Sequence, residues 1–264
     1  MYVKSLTFIF LFIITNFYAQ NFCGKIEYSQ QKNMANDVYA AHTSKSKFVL
    51  EFNSLFSKYQ EINISESKTK NKIEDTDEGR SKITVIGRKN TLPKFYLNKN
   101  GEILFRDIFN EEGIVVKEKP IHFDWKIHEE SKNIGKFLCQ KATTNFRGRN
   151  YIAWFTHEIP SSYGPWKFYG LPGLILEVHD EDYKFLCQAT KVNLYPNNKE
   201  NCKINTPEYD NTNIKTIQEY YIRKKELVKE EFSKIATKLG RNSNFKIAKD
   251  CDDCGKELEI FESK

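Results

Sequence analysis

Lys136-Phe137-Leu138-Cys139-Gln140-Lys141-Ala142-Thr143, followed after an Arg147-Gly148 tip by Asn150-Tyr151-Ile152-Ala153-Trp154-Phe155-Thr156-His157, is the stretch whose reading decides the fold. Both runs are short, rich in aromatic and β-branched residues, and separated by turn-forming Asn, Arg and Gly. That composition specifies two strands of a hairpin rather than a helix. Working outward, runs of the same kind recur at Gly24 to Ser29, Lys47 to Phe52, Phe56 to Ile62, Ile83 to Ile86, Lys94 to Leu97, Glu102 to Phe109, Gly113 to Glu118, His122 to Ile127, Leu174 to His179 and Tyr183 to Leu194. About a dozen strands at roughly 8 to 12 residue spacing make an antiparallel sheet that curls into a barrel or half-barrel. No crossover helices alternate with them, so a parallel α/β fold is disfavoured.

One long helix is expected, from about Thr212 to Leu239. There Ile214, Ile217, Tyr221, Val228, Phe232, Ile235 and Leu239 recur at helical steps, and Gly240 supplies a stop. At ~1.5 Å per residue it would be on the order of 40 Å long, enough to cross a sheet. Lys224 interrupts the apolar seam, which favours packing on the sheet over a coiled coil. Asn63 to Ser81 is nearly all polar and reads as a mobile surface loop. The expected architecture is mainly β (α+β): a curved antiparallel sheet or half-barrel with a long C-terminal helix packed against it. A chain of 264 residues is long enough to bury such a core in one domain.

The domain plan is a signal peptide at 1–19, then a single β-rich domain at 20–264 with a helix at 212–239 and a cysteine-containing tail at 240–264. Lys4, the apolar run Leu6 to Ile14 and Ala19 before Gln20 have the layout of a secretory signal, and the run is short for a membrane span. The expected address is therefore exported, periplasmic or secreted, and not integral to the membrane after cleavage. Six cysteines, Cys23, Cys139, Cys187, Cys202, Cys251 and Cys254, all follow the cleavage point and are disulfide candidates, with connectivity open. The echo of Lys136-Phe137-Leu138-Cys139-Gln140 in Lys184-Phe185-Leu186-Cys187-Gln188 permits a Cys139 to Cys187 bridge if those strands pair, and equally permits none. Cys251-Asp252-Asp253-Cys254 is read as a structural disulfide, internal or to Cys202. Two acidic residues between the thiols work against a reactive thiolate. The formal charge of +6 comes mostly from Lys scattered among Glu and Asp, which describes a solvated face and not a nucleic-acid footprint.

Residues 147–177 gather Gly148, Gly164, Gly170 and Gly173 with Trp154 and Trp166. Leu171-Pro172-Gly173-Leu174 fits a type II turn in which Gly173 supplies a positive φ. Trp166, Phe168, Tyr169 and Leu171 present a dense apolar and aromatic surface, either core or a ligand wall. The run Gly170-Leu171-Pro172-Gly173-Leu174-Ile175, preceded by Gly164-Pro165-Trp166-Lys167-Phe168 and Ala153-Trp154-Phe155, resembles the signature of the GLPGLI family of exported Bacteroidetes proteins. The likeness covers roughly Gly135 to Glu177. It implies an address and a similar fold, with no mechanism attached.

No catalytic constellation emerges. His157-Glu158 is followed by Ile159-Pro160, which breaks the helix a zinc-protease motif requires. There is no Gly-x-Ser-x-Gly elbow and no phosphate-binding glycine loop. His122 with Asp124, and His179 with Asp180, Glu181 and Asp182, are weak metal candidates that more often mark hydrated turns. Arg147 and Arg149 are candidates for gripping an anion or a lipid headgroup and, flanking a Gly at a hairpin tip, read equally as solvated turn residues. The reading is a non-enzymatic exported protein without a cofactor, binding an apolar small molecule or lipid through Arg147, Arg149 and the aromatic segment Trp154 to Ile175. Such a protein would be similar in architecture to half-barrel carriers of lipids or lipoproteins. An envelope protein-interaction module is the first alternative. A hydrolase or peptidase whose histidines and carboxylates converge only in the fold is the second.

Overall fold

The computed structural model describes residues 22–33, 43–62, 71–75, 81–85, 92–109, 112–195, 200 and 202–238. Strand β1 (Gly24–Asn33) pairs antiparallel with β2 (Thr43–Phe52), which pairs with β3 (Ser57–Ile62). A small separate sheet joins β4 (Asn71–Asp75) to β5 (Ser81–Val85). The expected loop over Asn63 to Ser81 thus contains a polar strand, β4, which carries too few apolar residues to announce itself. Strands β6 (Phe95–Lys99), β7 (Glu102–Phe109) and β8 (Glu112–Glu118) form a meander beyond β3. Strands β9 (Lys126–Ile134), β10 (Phe137–Phe146), β11 (Arg149–Thr156), β12 (Leu174–Asp180) and β13 (Phe185–Leu194) form a second meander that rejoins β1. A short β14 (Ile214–Thr216) runs parallel to β8 and leads into α1 (Ile217–Lys238).

The main sheet has twelve strands in the order β14-β8-β7-β6-β3-β2-β1-β13-β12-β11-β10-β9. It is open, since β14 and β9 do not pair with one another. It is nonetheless strongly curled. Tyr59 on β3 reaches Cys187 on β13 at 3.1 Å, although two strands lie between them in the sheet. Tyr28 on β1 donates to the Ile175 carbonyl of β12 at 2.6 Å. The period of two places Tyr28, Tyr59, Tyr96, Phe105, Tyr151, Phe155, Phe185 and Cys187 on the inner face, where they pack into one core.

Turn chemistry sets the registers. Arg147 and Gly148 both have positive φ, 47° and 76°, so the β10–β11 hairpin closes with the two-residue turn whose twist suits paired strands. Across the outer face, Arg106 donates to the Glu208 carbonyl at 3.1 Å and Lys58 to the Asn205 carbonyl at 2.9 Å. These cations pin residues 202–213 as a strap over β3, β6 and β7. Cys23 and Cys202 form a disulfide that anchors the start of the strap to the first strand.

The helix begins at Ile217, five residues later than periodicity suggests. Thr216 Oγ1 accepts from the Glu219 amide at 3.3 Å while the Glu219 carboxylate accepts from the Thr216 amide at 2.7 Å. This reciprocal cap fixes the first turn and leaves 214–216 extended on the edge of the sheet. The expected signal peptide, the Gly240 stop, the 240–264 tail and the Cys251 and Cys254 pair lie outside the described residues.

Candidate functional site

The loop between β11 and β12 does not line the sheet as a wall; it fills its hollow. Trp166, Phe168, Leu171, Leu174 and Ile175 are all buried. Phe168 meets Tyr151, Phe123 and Phe146, and Trp166 meets Phe185. Lys167, only 1% exposed, places Nζ 4.3 Å from the Phe105 ring centre and 2.9 Å from Glu118 Oε2. Glu118 Oε1 accepts from Arg147. One carboxylate on β8, near one edge of the sheet, thereby ties down both the plug and the β10–β11 hairpin, near the other edge. A buried carboxylate needs such partners, because stripping its water is otherwise costly.

The two glycines of the motif work differently from expectation. Gly170 carries the positive φ, 95°, whereas Gly173 does not. The type II reading of Leu171-Pro172-Gly173-Leu174 is therefore corrected. Gly173 is required by close approach: a Cβ there would be driven into the Thr156 carbonyl of β11. Trp166 itself sits at a φ of 56°, a conformation that burial of its ring against Phe146, Tyr151, Phe168 and Phe185 maintains.

The expected aromatic surface is split. Trp154 lies on the outer face of β11, half-buried beneath Lys132, whose Nζ is 4.4 Å from its ring centre, while Trp166 is inside. Arg147 is engaged by Glu118, and the buried Arg149 by Asp180 at 3.4 Å. Neither guanidinium is an open anion grip. Asp180 Oδ1 also accepts from the Phe185 amide at 2.7 Å, closing the β12–β13 turn.

The described histidines are dispersed. His122 pairs with Asp124 on the surface, His128 meets Thr143, His157 meets Gln140 and the Pro172 carbonyl, and His179 stacks on Tyr183. Among the described residues, no three His, Cys, Asp or Glu side chains converge as metal ligands. Cys139 and Cys187 are buried and unbridged; they stand on β10 and β13, with β11 and β12 between them, so the echo does not reflect pairing. Burial pushes their thiols up to about 11 and about 12, which keeps both protonated and unreactive. Because Cys202 is taken by Cys23, the alternative bridge from the tail to Cys202 is also corrected.

A second polar group went unremarked in the sequence. Glu61 on β3, Lys94 just before β6 and Asp107 on β7 fall in adjacent registers on the inner face, with Lys32 at the end of β1 on the same face. Lys94 Nζ lies 2.8 Å from Asp107 Oδ1, and Tyr220 of α1 donates to Asp107 Oδ2 at 2.6 Å. Although burial opposes it, Lys94 beside Asp107 holds that carboxyl far below the usual range, and Lys224 and the Tyr220 hydroxyl add to the effect. Burial, reinforced by the like charge of Lys94, pushes the Lys32 ammonium down to about 8. These groups remain part-exposed beneath the helix, unlike the fully buried Tyr28, Tyr59 and Phe48 deeper in the same face.

With this geometry in view, residues 147–177 match the model of a family described as a protein of unknown function (Porph_ging). The matched segment is the hairpin tip, β11, the plug and the start of β12. No curated protein sequence matches the chain. Two solved structures of PNGF-II, in C2 and P21 space groups, are similar over 75% and 76% of this chain at 16% and 14% identity, each with a TM-score of 0.46. The chain spans about a third of the length of those chains, 31% and 32%.

Proposed function

We propose that this chain is an exported, non-enzymatic binding protein of the cell envelope, which takes an apolar or lipidic ligand between the inner face of its sheet and α1. The observation that carries the reading is how lightly the helix is seated. Among its described side chains only Tyr220 and Leu227 are buried, with Ile217 and Tyr221 packed part-buried on the core, and the inner-face groups beneath it stay part-exposed. An element whose described residues bury less than the strands do opens at lower free-energy cost, as a binding element must. The plug 157–173 acts as the floor of the site rather than its wall, since its aromatic side chains are consumed by packing.

The disulfide supports export, because such bonds persist in oxidising compartments. The Leu6 to Ile14 run and the resemblance of Gly170 to Ile175 to the GLPGLI family point to the same address. Among the described residues no helix is long and apolar enough to cross a membrane. An envelope interaction module is the second reading, favoured by β9, a nine-residue strand with one side unpaired among the described residues and Ile127 exposed on it.

Native followed by denaturing mass spectrometry of protein purified from an oxidising compartment tests the first reading. A hydrophobic adduct that is retained natively and lost on denaturation is expected. A clean apo mass, together with no uptake of added medium-chain amphiphiles, would transfer the weight to the edge-strand reading.

A further inference from the structure

We propose that Asn100 is a latent modification site, a side chain primed to deamidate through Gly101 and kept intact by the hydrogen bond that Asn98 holds on the Gly101 amide. Asn100-Gly101 is the one Asn-Gly pair in the chain. A glycine after asparagine favours this reaction because no Cβ shields the attacking nitrogen or restricts its approach. The Gly101 nitrogen, its proton given up to solvent base, bonds to the Asn100 carboxamide carbon. The bond from that carbon to Nδ2 breaks, and ammonia leaves. Water then opens the cyclic imide at either carbonyl, giving aspartate or isoaspartate. Nothing is oxidised or reduced, and water is the only co-reactant.

The fold exposes the carboxamide and withholds the nitrogen. Asn100 and Gly101 form the two-residue turn between β6 and β7, with φ of 53° and 86°, and Asn100 is exposed while Gly101 is buried. The Gly101 N–H donates to Asn98 Oδ1 at 2.9 Å. Asn98 is itself only 5% exposed, so water does not readily take over as acceptor. Gly101 also packs under the Tyr169 hydroxyl, which donates to the Ile121 carbonyl; a Cβ at Gly101 would collide with it. To react, Gly101 must drop its bond to Asn98 and turn toward the Asn100 side chain. A buried N–H that loses its acceptor is costly, so the reaction waits on an opening of the turn. Isoaspartate, once formed, would run the chain through an extra backbone carbon and lift Gly101 off Tyr169, loosening the plug from the β6–β7 hairpin.

Incubation of the full chain at mildly alkaline pH, read by peptide mapping and by isoaspartyl methyltransferase labelling, tests the assignment. In native buffer Asn100 should stay intact, and in urea it should deamidate ahead of every other asparagine. Asn98→Ala should speed the native reaction about tenfold, the factor that one hydrogen bond contributes to an opening equilibrium. Asn98→Asp, which keeps an acceptor in place, should stay close to wild type, and in urea all three chains should react alike. Exchange of the Gly101 amide in the wild type, slowed well below that of an unstructured chain, is a measurement that stands even if Asn98→Ala does not fold. Deamidation of native wild type as fast as in urea, no preference for Asn100 in urea, or an unprotected Gly101 amide overturns the latent site. Equal native rates for wild type and Asn98→Ala, or for Asn98→Asp and Asn98→Ala, overturn the role of Asn98. The isoaspartyl species, isolated by ion exchange, should melt below its parent, and an equal melting temperature overturns the link to the plug.

Discussion

Two lysines enter the inner face of the same sheet and are treated in opposite ways. Lys167 is sealed in the plug, 1% exposed, with Glu118 as ion partner and Phe105 under its ammonium. Lys32 stands at the mouth of the sheet, part-exposed, and the Asp107 carboxylate that acts on it is already paired with Lys94. The plug's charge is paired within the protein, although Glu118 Oε2 meets Lys167 as an ion pair without a well-formed hydrogen bond, and that pairing fixes the fold. The mouth is satisfied only in part, which is the condition of a surface that still has something to bind.

The largest expected effect breaks the plug. Glu118→Ala would remove the carboxylate that Lys167 and Arg147 share, and removing one partner of a buried pair costs about 3–5 kcal/mol. In urea denaturation the midpoint should fall accordingly. Asp107→Asn should cost less, about 1–3 kcal/mol, because Lys94 keeps enough exposure to be partly rehydrated. Equal losses in the two variants would erase the distinction between region and region.

The tryptophans sharpen the same comparison. Trp166→Ala empties a ring-lined site and should cost about 3–5 kcal/mol, whereas Trp154→Ala on the outer face should cost less than about 1 kcal/mol. A similar melting temperature for both variants would mean that the plug is not the core. Gly173→Ala comes next, at about 1–3 kcal/mol, because β11 and β12 must separate to admit a methyl group against the Thr156 carbonyl.

Most of the strands were legible because each places aromatic or β-branched side chains on a face that must be buried. Glu102 to Phe109 is recovered residue for residue, and β10 to β13 within a few residues. Where this signal fails, the expectation fails with it. His122 to Ile127 is apolar enough to suggest a strand, yet Phe123 and Trp125 instead pack irregularly on Phe168, and β9 runs Lys126–Ile134 through polar residues. The motif was conspicuous, but its function as plug was not, since a core aromatic and a ligand wall have the same composition. The mouth was invisible because Lys32, Glu61, Lys94, Asp107 and Lys224 lie in charge-rich stretches far apart in sequence. Strand register aligns Glu61, Lys94 and Asp107, and only the curl of the sheet and the packing of α1 bring Lys32 and Lys224 near them. The Thr216-Ile217-Gln218-Glu219 cap was there to be read and dates the helix start correctly.

The smallest expected effect is the most specific to the mouth. A lysine lowered to about 8 in the folded protein, against roughly 10.4 in an unfolded chain, binds fewer protons when folded than when unfolded over that interval. Below about 8 both states carry the charge and the destabilisation is complete. As pH rises through about 8 toward roughly 10.4 it is relieved, so stability gains with pH. Lys94 moves the other way: despite the opposing effect of burial, the Asp107 carboxylate raises it, so it contributes stability through the same window and loses it only at higher pH. Other lysines titrate in this range too, but they are common to wild type and Lys32→Gln and cancel in the difference. The stability of wild type relative to Lys32→Gln, followed by urea denaturation from pH 7 to pH 10, should therefore rise through the window. A flat difference would show that Lys32 is as well hydrated as any surface lysine, and the two lysines would then differ in burial alone rather than in what they still lack.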